Sequence, residues 1–321
     1  MGTADPPGDL PILALRPLRH ACHGCGTCCH GWQVELEAAE VVAAEEHGRV
    51  LGVDAPVVDG VLRRQNGRCV FLDDALRCRV HATFGATAKP RVCQLYPLRA
   101  VLAEDGLRVG VDPSCTSTLQ TWRDGPLVDP LRTVEQVREL DPALLDDERA
   151  LLALASAPHI TVAGFAAGLA GDPSAAPELP AGLATRLLER LQVPAVAEQL
   201  MHPRRGALML AQLAHIPPAV AGLSDRNMPA WTNSLLPEID EFAVEVLRRH
   251  IFMRLGDPTV PPVAQALLML AGVVACGWSG PDAARFGPAL AAWSRAIRGR
   301  ALWGPLIPDS ATAHWILTGA R

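Results

Sequence analysis

The distribution of cysteine constrains this chain more than any other feature of its sequence. Eight of the nine cysteines lie between Cys22 and Cys115, and only Cys276 lies beyond them, in an apolar helical stretch. The first twenty residues lack the apolar core of a secretory signal, so we expect a cytoplasmic protein. Thiols stay reduced in that compartment, and clustered cysteines there are metal ligands or redox groups more often than structural disulfides.

The densest cysteine group is the segment Cys22-His23-Gly24-Cys25-Gly26-Thr27-Cys28-Cys29. Its C-x2-C-x2-C spacing allows one loop to surround a metal centre, and bacterial ferredoxins use a similar run for three cluster ligands. Structural zinc sites also use C-x2-C pairs. The spacing therefore favours an iron–sulfur cluster, such as a 4Fe-4S cluster, over zinc, and both remain open.

A second group of cysteines is dispersed along the chain and could complete the same site or build another one. Buried, unliganded thiols and disulfides are the alternatives for this group. Taken together, the predicted metal ligands are Cys22, Cys25, Cys28, Cys29, Cys69, Cys78, Cys93 and Cys115.

Composition excludes several classes of function. Hydrophobic residues make up 49% and charged residues 20% of 321 residues, which indicates a globular chain of one large or two ordinary domains. The net charge of −5 gives no general attraction for nucleic acid. The longest apolar run, near Val263–Trp278, is shorter than a bilayer requires. We therefore expect neither a nucleic-acid partner nor a membrane partner.

The cysteine distribution predicts two regions of different character. We predict a disordered or extended arm at 1–17, a cysteine-rich metal-binding domain at 18–125 and a helical domain at 126–321. The fold class is α+β, in which a small domain of short hairpins and helices is followed by an all-α region. The helical region could bind a protein substrate or partner.

Local patterns predict the individual elements. In the cysteine-rich domain they indicate strands at Gln33–Leu36, Val57–Arg63, Arg68–Leu72 and Leu76–Val80, a hairpin of Leu98–Ala103 with Leu107–Val111, and helical segments at Glu37–Val50, Val80–Phe84 and Pro90–Leu95. Cys69 and Cys78 would then lie on the two strands of one hairpin, where both could face the same side. Beyond it, periodicity predicts helices at Thr133–Leu140, Asp147–Ala155, Ile160–Leu169, Ala181–Leu191, Gly206–Ala214, Ile239–Leu255, Pro262–Cys276 and Pro281–Arg298.

Three histidines lie near the cysteines: His23, His30 and His81. Each could ligate a metal or move protons, but eight thiols already suffice, so solvated or supporting roles are the simpler interpretation. Arg91 and Arg99 also lie near the cysteines in sequence. We expect these arginines to offset thiolate charge, because four thiolates on Zn²⁺ leave a net charge of −2.

The whole cysteine pattern resembles the YkgJ-type cysteine-cluster family, also called CxxCxxCC. The resemblance is carried by Cys22-x2-Cys25-Gly-x-Cys28-Cys29, Cys69-x-Phe71-Leu72, Cys78-x-Val80-His81, Phe84-Gly85 and Lys89-Pro90-x-x-Cys93-x-x-x-Pro97. It covers residues 20–117 and implies a zinc- or iron-chelating domain with eight cysteines. Thr116-Ser117 follows Cys115 where the family often has Pro-Gly.

A narrower resemblance rests on Cys28-Cys29-His30-Gly31-Trp32, which is similar to a stretch of flagellin lysine-N-methylase. That resemblance implies an iron–sulfur centre and methyl transfer from S-adenosylmethionine to protein lysine. The motifs of phosphate loops, dinucleotide folds, zincins and serine hydrolases are absent from the sequence. The sequence hypotheses are therefore a metal-binding protein, a cluster-dependent lysine N-methyltransferase, or a zinc-stabilised interaction module. Catalytic and cofactor-binding residues are not identified.

Overall fold

The computed structural model of this chain describes residues 11–30, 33–130, 137–139, 145–171, 179, 182–202, 211, 213–214, 237–257, 259–277, 283–298 and 300–320. Within these ranges the chain has the predicted α+β architecture. Short strands and short helices occupy the cysteine-rich part, and the described residues from 145 onward that form regular structure are helical.

The described strands are β1 (Ile12–Leu13), β2 (Val57–Val58), β3 (Val61–Leu62), β4 (Arg64–Gln65), β5 (Arg68–Cys69), β6 (Leu98–Ala103), β7 (Gly106–Val111) and β8 (Val137–Glu139). Four of them form one sheet in the order β1-β7-β6-β8. The β6–β7 pair is antiparallel, and both outer strands join it in parallel. The predicted β6–β7 hairpin is confirmed, and β1 shows that part of the predicted arm is extended and paired.

The two faces of this sheet contact different parts of the molecule. One face carries Leu98 and Ala100, which pack with Leu18 in a small hydrophobic cluster. On the other face Val101 packs against the segment Phe252–Leu255. Gly110 allows a close approach there, because a Cβ atom at this position would lie 2.7 Å from the sulfur of Met253. The sheet therefore connects the cysteine-rich part to the helical region.

Two small hairpins lie between the first helix and the sheet. The predicted strand Val57–Arg63 is instead the β2–β3 hairpin, which turns at Asp59-Gly60, and β4 and β5 turn at Asn66-Gly67. All four turn residues have positive φ, as tight turns between antiparallel strands require.

The predicted strand pair Arg68–Leu72 with Leu76–Val80 is wrong. Only a single bridge joins Leu72 to Cys78, and Cys78 is the N-terminal cap of a helix instead of a strand residue. The predicted strand Gln33–Leu36 is also absent from the described strands, and this segment forms a single bridge, from Glu35 to Val61. These segments are too short and too closely followed by turns to extend their ladders.

The described helices are α1 (Ala38–Leu51), α2 (Arg79–Phe84), α3 (Arg91–Leu95), α4 (Thr118–Thr121), α5 (Leu145–Ala155), α6 (Val162–Leu169), α7 (Leu183–Leu191), α8 (Pro194–Leu200), α9 (Pro237–Phe252), α10 (Pro262–Gly277), α11 (Ala283–Ala296), α12 (Arg300–Leu306) and α13 (Ser310–Thr318). Most predicted helices are confirmed to within a few residues. The helix predicted at Thr133–Leu140 is wrong at 137–139, where pairing with β6 forms β8. The helix predicted at Gly206–Ala214 falls largely outside the described residues.

Helix α10 forms the centre of the helical core. Its side chains are buried along nearly the whole length, including Leu267, Leu270 and Cys276. The indole N–H of the buried Trp293 donates to the Leu268 carbonyl oxygen at 2.8 Å. The apolar run noted in the sequence is thus explained by burial, and no helix of the described chain is both long and apolar enough to cross a bilayer.

Buried charges also join the sheet to the helices. Arg108 on β7 is fully buried and donates to Glu148 of α5 at 3.1 Å, to Asp105 at 2.9 Å and to the Phe252 carbonyl oxygen at 3.3 Å. Arg254 also pairs with Glu148. Such a network contributes geometric specificity, because loss of one partner leaves a buried charge uncompensated.

Candidate metal centre

The segment Cys22–Cys29 forms a compact loop whose shape depends on two glycines. Gly24 and Gly26 both have φ near 68°, a conformation that residues with a Cβ atom adopt at a cost. At Gly26 a Cβ atom would also lie 2.9 Å from the backbone oxygen of Leu76. The amide of Gly24 lies 3.5 Å from the sulfur of Cys22, to which it donates. The glycines thus allow the backbone to curve around its own thiols.

The end of this loop is held by one turn of 3-10 helix at Thr27–Cys29. The amide of Cys29 donates to the Gly26 carbonyl oxygen at 2.9 Å, and the buried His30 ring bonds the same oxygen through Nδ1 at 2.9 Å. A backbone bridge from His30 to Arg68 then places the loop beside β5. His30 therefore supports the loop and does not line the central cavity.

The dispersed cysteines come from four different local structures. Cys69 ends β5, Cys78 caps α2 and Cys93 lies inside α3, and all three pack against a small hydrophobic cluster that contains Phe71 and Val80. Cys115 is buried in the turn after β7, where its amide donates to the Asp112 carbonyl oxygen at 3.2 Å. Cys115 is therefore separate from the other three.

All eight predicted cysteines line one cavity of about 350 Å³. The described residues around it include no aspartate and no glutamate, and its positively charged residues are Arg64, Arg77, Lys89 and Arg295. A donor set of sulfur without carboxylate oxygen suits thiophilic metals such as zinc or iron in iron–sulfur clusters, and does not suit magnesium or calcium. The chemistry of the cavity therefore fits the metal class that the sequence predicts.

The sulfur atoms of the eight cysteines do not meet around one point in this structure. Among the described residues, no three side chains of His, Cys, Asp or Glu are close enough together to hold one metal ion as they stand. The sulfurs of Cys28 and Cys29 lie 3.8 Å apart. Two thiolates on one tetrahedral ion with bonds of about 2.3 Å lie about 3.8 Å apart. This pair therefore has the spacing of two ligands on one ion.

The two adjacent thiols differ strongly in acidity. The hydrogen bond from Cys29 lowers the pKa of the Cys28 thiol to about 7, against the opposing effect of burial, and the charges of Arg295 and Lys89 add to the lowering. The same hydrogen bond and burial raise the pKa of Cys29 well above its usual range. Cys28 is therefore the thiol of this pair that ionises first and that can bind a metal first.

Burial keeps the thiols of Cys69, Cys93 and Cys115 protonated. It raises the pKa of Cys69 to about 11 and the pKa values of Cys93 and Cys115 to about 12. Nearby thiols add to these shifts: Cys69 and Cys28 act on Cys93, whereas Cys28 and Cys25 act on Cys115. A metal must displace protons from these groups, so its affinity must rise with pH.

Two of the histidines considered from sequence line the cavity. His23 donates its amide to the Ser117 hydroxyl at 3.2 Å, and its ring contacts Gln120, so it closes one wall. His81 lies on the exposed rim. Sequence reasoning missed His20, which also lines the cavity and whose buried Nδ1 has no hydrogen-bond partner among the described residues. Burial is the main cause that lowers the pKa of His20 to about 4.

The cations of the cavity are not those expected from sequence. Arg99 pairs with Asp112 at 3.3 Å, Arg91 donates its amide to Glu40, and neither arginine lines the cavity. Lys89 and Arg295 line the cavity instead. Lys89 is close to the cysteines in sequence and could have been considered, but Arg295 lies in the helical region on α11, and no sequence signal connects it to Cys28.

The fold and the cavity together define a thiol-rich metal-binding protein. Residues 21–116 match the model of the CxxCxxCC family, described as "Putative zinc- or iron-chelating domain". Residues 21–116 are therefore similar to this domain, and the helical region that follows lies outside the match. Neither the curated proteins nor the solved structures contain a match to the chain. The narrower resemblance to flagellin lysine-N-methylase thus gains no support from them.

Proposed function

We propose that the chain is a metal-binding protein whose eight N-terminal cysteines hold an iron–sulfur centre. The observation that carries this proposal is the single 350 Å³ cavity, which all eight thiols line and in which the described part of the chain places no carboxylate. A single tetrahedral ion with four thiolates spans only about 3.8 Å between sulfurs. A cavity of this size instead suits a polynuclear centre or more than one centre.

The contacts of the thiols favour two groups of ligands. Cys69, Cys78 and Cys93 share one hydrophobic cluster, and the bridge between His30 and Arg68 brings Cys29 beside them. Another group surrounds Cys115. Within it, the sulfur of Cys25 lies 2.8 Å from the hydroxyl of Thr116. Cys28 lies between the groups, since its sulfur contacts that of Cys29 and its charge raises the pKa of Cys115.

Anaerobic purification followed by measurement of iron, zinc and acid-labile sulfide tests the proposal. We expect matched iron and sulfide, together with broad absorbance near ~400 nm. Cys93→Ala should lower the metal content, whereas Cys276→Ala is the matched control, because Cys276 lies in the helical core and not at the cavity. Equal metal content in the two variants and the parent protein would contradict the proposed ligand set.

Zinc is the second candidate, and the 3.8 Å separation of Cys28 and Cys29 favours it. Adjacent thiolates on one ion fit a mononuclear tetrahedral site better than a cluster, where each iron takes its own cysteine. Colourless protein that contains one or two zinc ions and no sulfide would select this candidate. The function would then be a zinc-stabilised interaction module, with the helical region as the surface for a protein partner.

An S-adenosylmethionine-dependent lysine methylase remains a hypothesis within this proposal. The positive charges of Lys89 and Arg295 in a cavity without a described carboxylate favour an anionic group there, such as the carboxylate of that cofactor. Isothermal titration of the metal-loaded protein with S-adenosylmethionine tests this hypothesis directly. Absence of heat at high cofactor concentration would contradict it and would leave the metal site unaffected.

A further inference from the structure

We propose that Arg295 makes the helical region part of the metal site, as a positioning residue that holds three cysteine-bearing segments together. This inference rests on the proposed function, because it concerns the retention of metal by the cavity. Arg295 lies on α11, far beyond the residues 21–116 that match the family model. The family domain alone therefore does not contain all the residues that shape its own site.

Three hydrogen bonds connect the guanidinium of Arg295 to the three segments. Nη1 donates to the Thr27 carbonyl oxygen at 3.2 Å, next to Cys28. Nη2 donates to the Ser114 carbonyl oxygen at 3.0 Å, next to Cys115, and to the hydroxyl of Tyr96 at 3.2 Å. Tyr96 follows the helix that carries Cys93. One side chain thus fixes the relative positions of three segments that carry six of the eight thiols, with Cys28, Cys93 and Cys115 nearest to the bonded residues.

The charge of Arg295 remains available to the thiols. Its three acceptors are neutral oxygens, and among the described residues no carboxylate lies within 4.0 Å of its guanidinium. Arg298, one turn further along the chain, is different because it forms a bidentate pair with the buried Asp112. Arg295 can therefore offset the negative charge that thiolates bring to a metal centre, whereas the charge of Arg298 is already compensated.

The helix holds Arg295 in a fixed position. Trp293 and Ser294 are fully buried in the helical core, and the Trp293 ring fills the space beside Gly272 of α10. A rigid support of this kind is what a precise site requires. The coupling must be reciprocal: if Arg295 favours the metal-bound arrangement of the loops, bound metal favours the docked position of α11.

The test compares metal release from the parent protein and three variants. Arg295→Gln removes the charge and most of the bonds. Arg190→Gln is the matched control, because Arg190 also donates to backbone carbonyl oxygens, those of Pro305 and Leu306, but lies away from the cavity. Arg295→Lys keeps the charge without the forked geometry. Each protein is first assayed for metal and then mixed with excess chelator, and release is followed by the loss of thiolate-to-metal absorbance.

We expect Arg295→Gln to release metal about tenfold faster or more, as the loss of about one net hydrogen bond implies. The release rate of Arg295→Lys should lie between those of Arg295→Gln and the parent protein. Arg190→Gln should release metal at the parent rate. Hydrogen exchange in Ala283–Ala296 should also rise when the parent protein loses its metal. If Arg295→Gln does not fold, the intermediate rate of Arg295→Lys and the exchange result decide the question.

Two results would overturn the inference, and they are distinguishable. Parent protein that carries metal, with the same release rate in Arg295→Gln and Arg295→Lys, overturns the role of Arg295 alone. Parent protein purified without iron or zinc overturns the proposed function as well. If Arg190→Gln releases metal as fast as Arg295→Gln does, the effect is one of general stability. That result would also overturn the specific role of Arg295.

Discussion

The cysteine-rich part and the helical region are stabilised in different ways. In the helical region α10 is buried along nearly its whole length, and residues from many other helices pack around it in one continuous hydrophobic cluster. In the cysteine-rich part the buried hydrophobic residues are divided between small clusters. The cluster beside the cavity has Val34, Ala44, Leu62, Phe71 and Val80 as its buried members, and a second cluster lies on the sheet around Leu98 and Val109. Strands β2 to β5 have two residues each.

This difference indicates where metal is needed. Two clusters of five and six buried side chains contribute less against the conformational entropy of nearly a hundred residues than one continuous core does. The helical region has no such shortage, and eight of the nine cysteines lie where the hydrophobic core is small. We infer that metal–thiolate bonds take the place of hydrophobic burial in the cysteine-rich part.

Removal of the metal should separate the two regions most strongly. Structural metal sites contribute on the order of 10 kcal/mol to folding. We therefore expect chelation to make residues 21–116 sensitive to protease, while circular dichroism still reports most of the helix. Protease resistance that is unchanged in metal-free protein would contradict the assigned role of the metal.

Trp293→Ala should destabilise mainly the helical region, in contrast to removal of the metal. Trp293 is fully buried against α10 and donates its indole N–H to Leu268, and a large-to-small change at such a site costs about 3–5 kcal/mol. We expect a large fall in the free energy of unfolding, while the folded molecules still contain metal but release it faster, because Trp293 supports the helix that holds Arg295. Measurement of both quantities on the same preparation checks this, and a proportionate loss of metal would show that the regions are not separable in this way.

The junction between the regions should respond to acid. Burial lowers the pKa of His250 to about 3, and neither ring nitrogen has a hydrogen-bond partner among the described residues. Since the unfolded chain takes up this proton near pH 6.5 and the folded chain does not, stability must fall as the pH drops from 6.5 towards 3. This amounts to about 1 kcal/mol at pH 5.5.

His250→Phe isolates that effect, because the variant removes the titrating group without removing a described hydrogen bond. We expect a smaller loss of stability between pH 7.5 and 5.5 in the variant than in the parent protein. Asp112 adds a second decline at lower pH. Burial alone would raise its pKa, but Arg298 and Arg99 hold it well below the usual range, so its contribution is lost as it protonates. Identical pH profiles for variant and parent would exclude His250 as the cause.

The smallest expected effect lies in the β4–β5 turn. Gly67 has a φ of 77°, and an alanine in that conformation costs about 1 kcal/mol. Gly67→Ala should therefore lower the stability of the cysteine-rich part slightly and speed its metal release. Gly171→Ala serves as the control, since it has a similar positive φ of 84° in the helical region. A faster release in the control than in Gly67→Ala would contradict the comparison.

Some of the fold could be predicted because the signals were local. The β6–β7 hairpin and helix α1 follow from periodicity and from glycines at their ends, and Gly52 ends α1 with a φ of 65°. The Asn66-Gly67 turn also has a local signal, since this dipeptide is the strongest short hairpin signal, but the strand pattern of Arg68–Leu72 competes with it. Strand β8 was not readable, because its conformation depends on pairing with β6.

The sequence by itself determined the class of chemistry. Sulfur is the only donor that eight cysteines can offer, and their spacing in Cys22–Cys29 and position in the chain predict a metal-binding domain without reference to any coordinates. Only the tertiary structure decided that all eight thiols face one cavity, that Lys89 and not Arg91 or Arg99 accompanies them, and that Arg295 reaches Thr27 across 268 residues of chain. The physical reason is that thiol chemistry belongs to each residue, whereas the neighbours of a thiol depend on how distant segments pack.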